Sequence, residues 1–221
     1  MKISKNSDLP VFQVFECINS ECRLRIPSDL STHNLTACPF CGSAMEKCGQ
    51  PYSNYHRPQK EASEAPIRLD LLLDNLRSSE NVGSIIRSAN GASVQHVYCC
   101  GTTPTPEHAK VRKSSLGAEE LTSWSYHRNA FNLATELTES GCTLLSLEYT
   151  RTSYSLFEFK HPHVNNQHIT LIVGNEISGI DPGLLTLCQR TLHIPMLGQK
   201  TSLNVAGAAA IAMYYILQPG D

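Results

Sequence analysis

Apolar residues recur along the chain at two spacings, which alternate from residue 67 onward. Short continuous apolar runs predict strands buried on both faces, whereas apolar residues three and four positions apart predict helices. The predicted strands cover residues 68–74, 94–100, 121–126, 143–147, 169–173 and 192–194. The predicted helices cover residues 82–92, 129–140, 182–188 and 205–217, and residues 110–119 are assigned to a polar loop. This alternation predicts an α/β fold, in which a mostly parallel sheet has helices on both faces.

The first 48 residues have a different pattern, which predicts a zinc ribbon. A strand-like alternation over residues 11–17 leads into Cys17, which forms one closely spaced pair with Cys22. Cys38 and Cys41 form a second pair. Two such pairs provide the four thiolates of a tetrahedral Zn²⁺ site, which would stabilise a segment too small for its own core. A structural site of this kind has no open position for catalysis. The alternatives are a metal-free cysteine-rich loop, or Cys48 or His33 as a ligand.

Residues 49–66 contain three prolines and few apolar residues, which predicts a linker. The predicted organisation is therefore a zinc ribbon at residues 1–48, a linker at 49–66, and an α/β domain at 67–221. A chain of 221 residues is long enough for one domain and a small module.

Composition and charge exclude few classes of function. A hydrophobic content of 41% excludes a disordered protein. The net charge of −2 still allows nucleic-acid binding, because a basic patch can be local, as at Lys110, Arg112 and Lys113. Neither a signal peptide nor an apolar stretch long enough to cross a membrane is visible, so we expect a cytoplasmic protein with reduced cysteines.

The last predicted helix, residues 205–217, follows a polar turn. Thr201 and Ser202 are suitable N-cap residues, and five alanines and a glycine make one side of the helix thin enough for close packing. Lys200, Ser202 and Asn204 in the turn are placed to hold a polar or anionic group. The alternative is a buried terminal helix with an ordinary cap.

Two further segments place polar residues after predicted strands. Asn81-Val-Gly-Ser-Ile-Ile-Arg87 starts a helix with Asn81 as its predicted N-cap, but its single glycine does not make a dinucleotide-binding fingerprint. Arg87 by itself is equally compatible with a solvated surface charge. Glu176 follows a buried strand between Gly174 and Gly179, at the strand end where open α/β sheets bind ligands. The alternative is that Glu176 only caps the helix at residues 182–188.

Together, the three segments resemble the motifs of the SpoU/TrmH branch of the SPOUT RNA methyltransferases. The matching positions are Asn81, Gly83 and Arg87; Gly174, Glu176 and Gly179; and Ile194-Pro-Met196 with Ser202-Leu-Asn-Val205. Residues 113–119 are similar as well, and the resemblance covers about residues 67–217. The chain departs from the family at Ser93, where a glycine is common. It also lacks a long basic C-terminal helix, so binding of the tRNA backbone by such a helix is not supported.

The resemblance implies a C-terminal trefoil knot, a homodimer with catalytic sites near its interface, and S-adenosylmethionine (SAM) as cofactor. It implies that SAM is bound by Leu171, Val173, Gly174, Asn175, Glu176, Gly179, Ile194, Met196, Gly198, Ser202 and Leu203. The implied reaction transfers a methyl group to a ribose 2′-hydroxyl of tRNA or rRNA.

The resemblance also implies roles for five catalytic residues. Arg87 acts on the 2′-hydroxyl, Asn81 positions it, and Glu176, Ser202 and Asn204 shape the pocket. Arg87 is either the general base or an electrostatic assistant that holds the adjacent phosphate, and the second role suits a guanidinium because this group holds its proton. The zinc ribbon either docks RNA, stabilises a dimer or only supports the fold. The competing functions are a non-catalytic RNA-binding or assembly protein and a thiol-redox or zinc-storage protein.

Overall fold

A computed structural model describes residues 10–32, 35–53, 67–160 and 167–217. The chain forms two compact units, Met1–Glu61 and Ala62–Asp221. Each unit has its own sheet.

The first unit contains a three-stranded antiparallel sheet with strand order β2-β1-β3. Its strands are β1 (Val11–Cys17), β2 (Arg25–Asp29) and β3 (Met45–Ser53). Phe15, Cys17, Cys38 and Met45 form its small buried core. β3 extends into the segment predicted as linker, because Val11 at the start of β1 pairs with Ser53. The rest of that predicted linker, residues 54–66, and the alternative ligand His33 lie outside the described residues.

The second unit is built on a seven-stranded parallel sheet with strand order β6-β5-β4-β9-β7-β10-β8. Its strands are β4 (Ile67–Asp74), β5 (His96–Cys100), β6 (Trp124–His127), β7 (Thr143–Leu147), β8 (Tyr154–Ser155), β9 (Gln167–Val173) and β10 (Arg190–His193). β4 and β9 lie near the centre and are buried on both faces, as the apolar runs at residues 71–73 and 171–173 predict.

Helices cover both faces of this sheet. They are α1 (Ser79–Gly91), α2 (Ala109–Ser115), α3 (Ala130–Glu139), α4 (Pro182–Leu187) and α5 (Val205–Leu217). α1, α2 and α5 share one buried cluster with Leu71 of β4, whereas α3 and α4 share another with the adjacent Leu72. Neighbouring strand residues face opposite sides of a sheet, so the predicted two-sided α/β fold is confirmed. Among the described helices, none is long and apolar enough to span a membrane.

The structure differs from the predicted elements in two main places. Residues 109–115, predicted as loop, form α2, because Val111 is buried against α1 and His108 caps the helix. β6 begins at Trp124, later than predicted, since a short 3₁₀ turn at Ala118–Glu120 precedes it. In both places the sequence shows little periodicity, and long-range packing determines the conformation.

Candidate functional site

A cleft of about 880 Å³ opens at the carboxyl ends of β7, β9 and β10. The loops that follow these strands form its walls, together with the start of α5. This is the edge of a parallel sheet at which α/β proteins bind ligands.

Two glycines allow the loop after β9 to fold tightly against the cleft. A Cβ atom at Gly174 would lie 2.5 Å from the carbonyl carbon of Gly179, which leaves no room for a side chain. Gly179 has a φ of +74°, which glycine adopts without strain. Asn175 stabilises the turn, because its side-chain oxygen accepts hydrogen bonds from the amides of Ile177 and Ser178.

A chain of hydrogen bonds joins the three sequence motifs beside this cleft. The side-chain amide of Asn81 donates to Glu176 Oε1 at 2.9 Å, and its Oδ1 accepts from Asn204 Nδ2 at 2.9 Å. Glu176 also accepts from the backbone amides of Arg77 and Ser78, at 2.9 and 3.1 Å. The carboxylate therefore connects the loop after β9 to the start of α1.

The surroundings of Glu176 keep it ionised. Partial desolvation raises its pKa, but the donors from Asn81, Arg77 and Ser78 outweigh that effect, so the pKa lies below its ordinary value. Glu176 does not cap α4, which was the simpler alternative, because Asp181 accepts from the amide of Gly183 and caps that helix.

The predicted N-caps of α1 and α5 are wrong. Ser78, not Asn81, caps α1 by accepting from the amide of Asn81, which leaves the Asn81 side chain to bridge its two partners. α5 begins at Val205, and the Asn204 side chain accepts from the amide of Ala206. Thr201 and Ser202 therefore precede the helix by too many residues to cap it, and both line the cleft.

Nearly all of the predicted cofactor-binding residues line the cleft. Val173, Gly174, Asn175, Glu176, Gly179, Ile194, Met196, Gly198, Ser202 and Leu203 all do. Leu171 does not, because it lies in the middle of β9 and is fully buried in the sheet core.

Arg87 lies outside the cleft lining. It is exposed on α1, and within the described residues it has no hydrogen bond or ion pair. It lies six positions after Asn81, which corresponds to about 9 Å along the helix axis. The structure therefore does not bring Arg87 into contact with Glu176 or Ser202.

The loop after β7 also lines the cleft, which the sequence reasoning missed. Glu148 and Tyr149 follow the strand directly. The ring of Tyr149 packs edge-on to His193 at 5.3 Å between centroids, and His193 Nδ1 pairs with Ser153 Oγ at 3.0 Å. The sequence signal that could have identified Glu148 is a charged residue directly after a buried strand, which is the signal that identified Glu176.

The four predicted cysteines of the first unit come together. The sulfur atoms of Cys17, Cys22, Cys38 and Cys41 all lie within 4.8 Å of one another, with Cys17–Cys41 at 3.4 Å and Cys22–Cys38 at 3.8 Å. Ligands at 2.3 Å from a tetrahedral zinc ion lie about 3.8 Å apart, so the cluster fits Zn²⁺. Cys48 is separate, with its sulfur 3.6 Å from Glu16 Oε2.

The thiols of this cluster differ in acidity. Burial raises the pKa of Cys17 to about 12, whereas hydrogen bonds from the side chain and backbone of Ser43 lower that of Cys41 to about 6. Zinc binds thiolates, so the buried thiols must release protons when the ion enters.

Comparison with known proteins agrees with this architecture. The SpoU rRNA Methylase family model matches residues 68–214. The chain is 29% identical over 202 residues to the 23S rRNA (guanosine(2553)-2′-O)-methyltransferase RlmP of Bacillus subtilis, covering 87% of this chain and 76% of that protein. It is 28% identical over 172 residues to the 23S rRNA (uridine(2479)-2′-O)-methyltransferase of Streptomyces viridochromogenes, covering 71% and 56%.

A solved structure shares the fold. The SpoU methyltransferase AviRb from Streptomyces viridochromogenes superimposes with a TM-score of 0.60 at 26% identity, covering 70% of this chain and 60% of that one. The chain thus spans less than two thirds of AviRb and of the second relative. The family model covers well over half of the chain, and its range contains the whole sheet except Ile67, together with all three motifs. The chain therefore belongs to the SpoU rRNA methylase family.

Proposed function

We propose that this protein is an RNA methyltransferase that transfers a methyl group from SAM to a ribose 2′-hydroxyl of rRNA or tRNA. The observation that carries the proposal is the hydrogen-bonded chain Glu176–Asn81–Asn204 beside the cleft. Its members come from three separate motifs, and a non-catalytic RNA-binding protein has no need to connect them. The names of the two rRNA methyltransferase relatives support the same choice.

The cleft suits SAM in size and shape. Its volume of about 880 Å³ lies within the range of small-molecule sites. Gly174 and Gly179 let the loop after β9 close on itself and against Glu148, because a side chain at Gly174 would clash with the backbone of Gly179 and one at Gly179 with the Glu148 carboxylate. We assign cofactor binding to these glycines and to Ile194, Met196, Ser202 and Leu203. When bound, SAM supplies an electrophilic methyl group on its sulfonium.

The protein's own residues would orient the RNA hydroxyl. Asn81 is held at both ends, through Nδ2 to Glu176 and through Oδ1 to Asn204, so its carboxamide cannot rotate freely. One N–H and one oxygen lone pair of that amide stay available to a ribose hydroxyl. Methyl transfer requires an in-line arrangement, and a fixed amide lowers the entropic cost of reaching it.

Arg87 has the role that depends most on the bound RNA. Its exposed position about two turns along α1 from the start of the helix suits a contact with an RNA phosphate. A guanidinium keeps its proton, so we favour electrostatic assistance to the hydroxyl, with general-base catalysis as the alternative.

We extend the proposal to the assembly and to the three parts of the chain. Ile211 and Tyr214 of α5 are partly exposed beside the thin alanine-rich face, which suits packing against a second copy. Sedimentation at micromolar concentration should give a dimer, and an active monomer would contradict this part. We propose that the zinc-binding module, predicted as residues 1–48, includes all of β3 and so extends to Ser53. A linker then joins it to a catalytic domain at residues 67–221.

The C-terminal trefoil knot also remains a proposal. β10 lies between β7 and β8, and α5 then packs in the cluster that contains residues of β4 and β9. The last segment thus returns to the centre of the sheet after adding a strand near its edge, which is compatible with a threaded path.

A methylation assay tests the proposed function. Purified protein and labelled SAM are incubated with rRNA or tRNA from cells that lack the gene, and 2′-O-methylated positions are mapped in the RNA. We expect one new ribose methylation that is absent from the untreated RNA. Tight SAM and RNA binding without methyl transfer to either RNA would instead support an assembly role.

A further inference from the structure

Two carboxylates line the cleft, and they differ in how many hydrogen bonds they already accept. Glu176 takes three donors, two on Oε1 and one on Oε2. Glu148 takes two backbone donors within the described residues, Tyr149 N to Oε1 at 3.0 Å and Ile180 N to Oε2 at 3.2 Å. An ionised carboxylate offers about four acceptor sites, two on each oxygen. Each oxygen of Glu148 therefore keeps one site for a ligand.

Glu148 is held firmly in its place. Its backbone amide donates to the carbonyl of Leu192 in β10 at 2.9 Å, which fixes the chain directly after β7. Gly179 lies against its carboxylate, since a Cβ atom there would be 2.6 Å from Glu148 Oε2. The side chain thus joins the loops after β7 and β9, and a ligand would meet an acceptor that is already ordered.

The position of Glu148 separates it from the motif network. β7 is two strands from β4 in the sheet order, or about 10 Å at the usual strand spacing. The Asn81 network joins the loop after β9 to the start of α1, which follows β4, whereas Glu148 follows β7. Leu147, Ile194 and Tyr149 also line the cleft and offer apolar surface for a purine ring.

We infer that Glu148 is a cofactor-specificity residue, whose two free acceptor sites bind the neighbouring 2′- and 3′-hydroxyls of the cofactor's ribose. The inference rests on the proposed use of SAM. Two acceptors side by side match two adjacent hydroxyl donors. An acidic residue after a parallel strand binds ribose in the same way in dinucleotide-binding folds. Glu176 is less suited, because only one of its acceptor sites is free.

Calorimetry with three ligands tests the inference without relying on activity. S-adenosylhomocysteine is compared with its 2′-deoxy and 3′-deoxy forms, and since it lacks the sulfonium charge, simple charge attraction contributes little. For the wild-type protein we expect each missing hydroxyl to weaken binding about tenfold, the usual loss for a hydrogen bond to a charged group. Glu148→Ala should bind all three ligands within about threefold of one another.

Two variants separate recognition from loop structure. Glu148→Gln keeps one acceptor, so it should still discriminate against one of the two deoxy forms. Glu139→Ala, which removes an exposed carboxylate at the end of α3, should match the wild type with all three ligands. Equal weakening of every ligand by Glu148→Ala, with the wild-type discrimination retained, would reduce Glu148 to a structural role and overturn the inference.

The same titrations distinguish this inference from the proposed function. Wild-type protein that binds S-adenosylhomocysteine but binds both deoxy forms equally well would overturn the role of Glu148 and leave SAM use intact. Wild-type protein that binds none of the three ligands would overturn the proposed function and this inference with it.

Discussion

The side chain of Asn81 illustrates how little a single residue's sequence context says about its role. It stands at the start of a helix, where asparagine commonly caps, yet Ser78 takes that position. Freed from capping, the amide of Asn81 bridges Glu176 and Asn204, which lie 95 and 123 positions away along the chain. Asn175 and Asp181 serve the loop after β9 in the conventional way, through bonds to nearby backbone amides.

Arg87 is the residue whose replacement tests the mechanism. Arg87→Ala should lower methyl transfer at least a hundredfold and leave SAM affinity nearly unchanged, because the side chain lies outside the cleft lining. Arg87→Lys should keep partial activity if a positive charge near the phosphate is what matters. Single-turnover rates and SAM titrations measure the two effects.

Arg128→Ala, at an exposed position near β6, is the control. Wild-type turnover by Arg87→Ala would remove Arg87 from the mechanism.

His96 makes the stability of the second unit depend on pH. Its ring nitrogens pair with the hydroxyls of Ser123 and Ser125, both at 2.8 Å, and burial lowers its pKa below the usual 6.5. The unfolded chain therefore binds a proton at His96 more readily than the folded chain does. The stability contributed by the neutral, hydrogen-bonded ring is present above pH 6.5 and is lost as the pH falls through the folded-state pKa.

Melting temperatures of wild-type protein and His96→Gln between pH 8 and pH 5 measure this effect. The melting temperature of the wild type should fall relative to that of the variant below pH 6.5. Any loss of zinc at low pH affects both proteins equally, so it does not change the difference between their melting temperatures. Parallel melting curves over the whole range would show that His96 does not contribute.

At the scale of elements, the contact between α1 and α2 determines the local architecture. Gly83 lies at the crossing, where a Cβ atom would be 2.0 Å from Ser114 Oγ and 2.5 Å from the carbonyl oxygen of Val111. This close approach buries Val111 and holds the seven-residue α2, which is too short to be stable alone. The same helix α1 carries Asn81 and Arg87, so the contact supports both candidate catalytic residues.

Gly83→Ala should therefore destabilise the second unit by about 1–3 kcal/mol, since the carbonyl of Val111 cannot move without shifting α2. The gain of about 1 kcal/mol in helix propensity offsets only part of this cost. Denaturant unfolding measures the change. Ser84→Ala, at the next and exposed position of α1, should change stability by less than about 0.5 kcal/mol. A Gly83→Ala variant more stable than wild type would show that the helices adjust easily.

At the scale of the whole molecule, the two units differ in how much apolar surface they bury. The second unit buries two large apolar clusters on the faces of its sheet. The first has a core of four buried residues, two of which belong to the four-cysteine cluster. Such a small core does not stabilise a sheet unaided, so we expect the metal to supply most of the missing free energy.

Metal analysis of the purified protein should therefore find about one zinc per chain. Cys38→Ser should lose the ion and the hydrogen-exchange protection of β1, β2 and β3, while the strands of the second unit stay protected. Cys48→Ser is the matched control and should keep its zinc, because Cys48 contacts Glu16 instead of the cluster. Full zinc occupancy in Cys38→Ser would show that the four-ligand assignment is wrong.

Local sequence was sufficient for much of this protein. The apolar runs within β4 and β9 identified buried parallel strands, because a strand covered on both faces carries apolar residues at consecutive positions. The spacing of the four cysteines predicted that their thiols come together, because two short-range pairs already restrict where the thiols lie. The motif residues identified the family and most of the cleft lining.

Tertiary structure alone decided the remainder. α2 forms because α1 buries Val111, and its own seven residues carry too little periodicity to predict it. The bridge from Glu176 through Asn81 to Asn204, and the position of Glu148 against Gly179, depend on which strands are neighbours in the sheet. Local periodicity predicts that a strand exists and which faces it buries, but the order of strands follows from packing between distant segments. Contacts between residues about 100 positions apart are consequently determined by that packing.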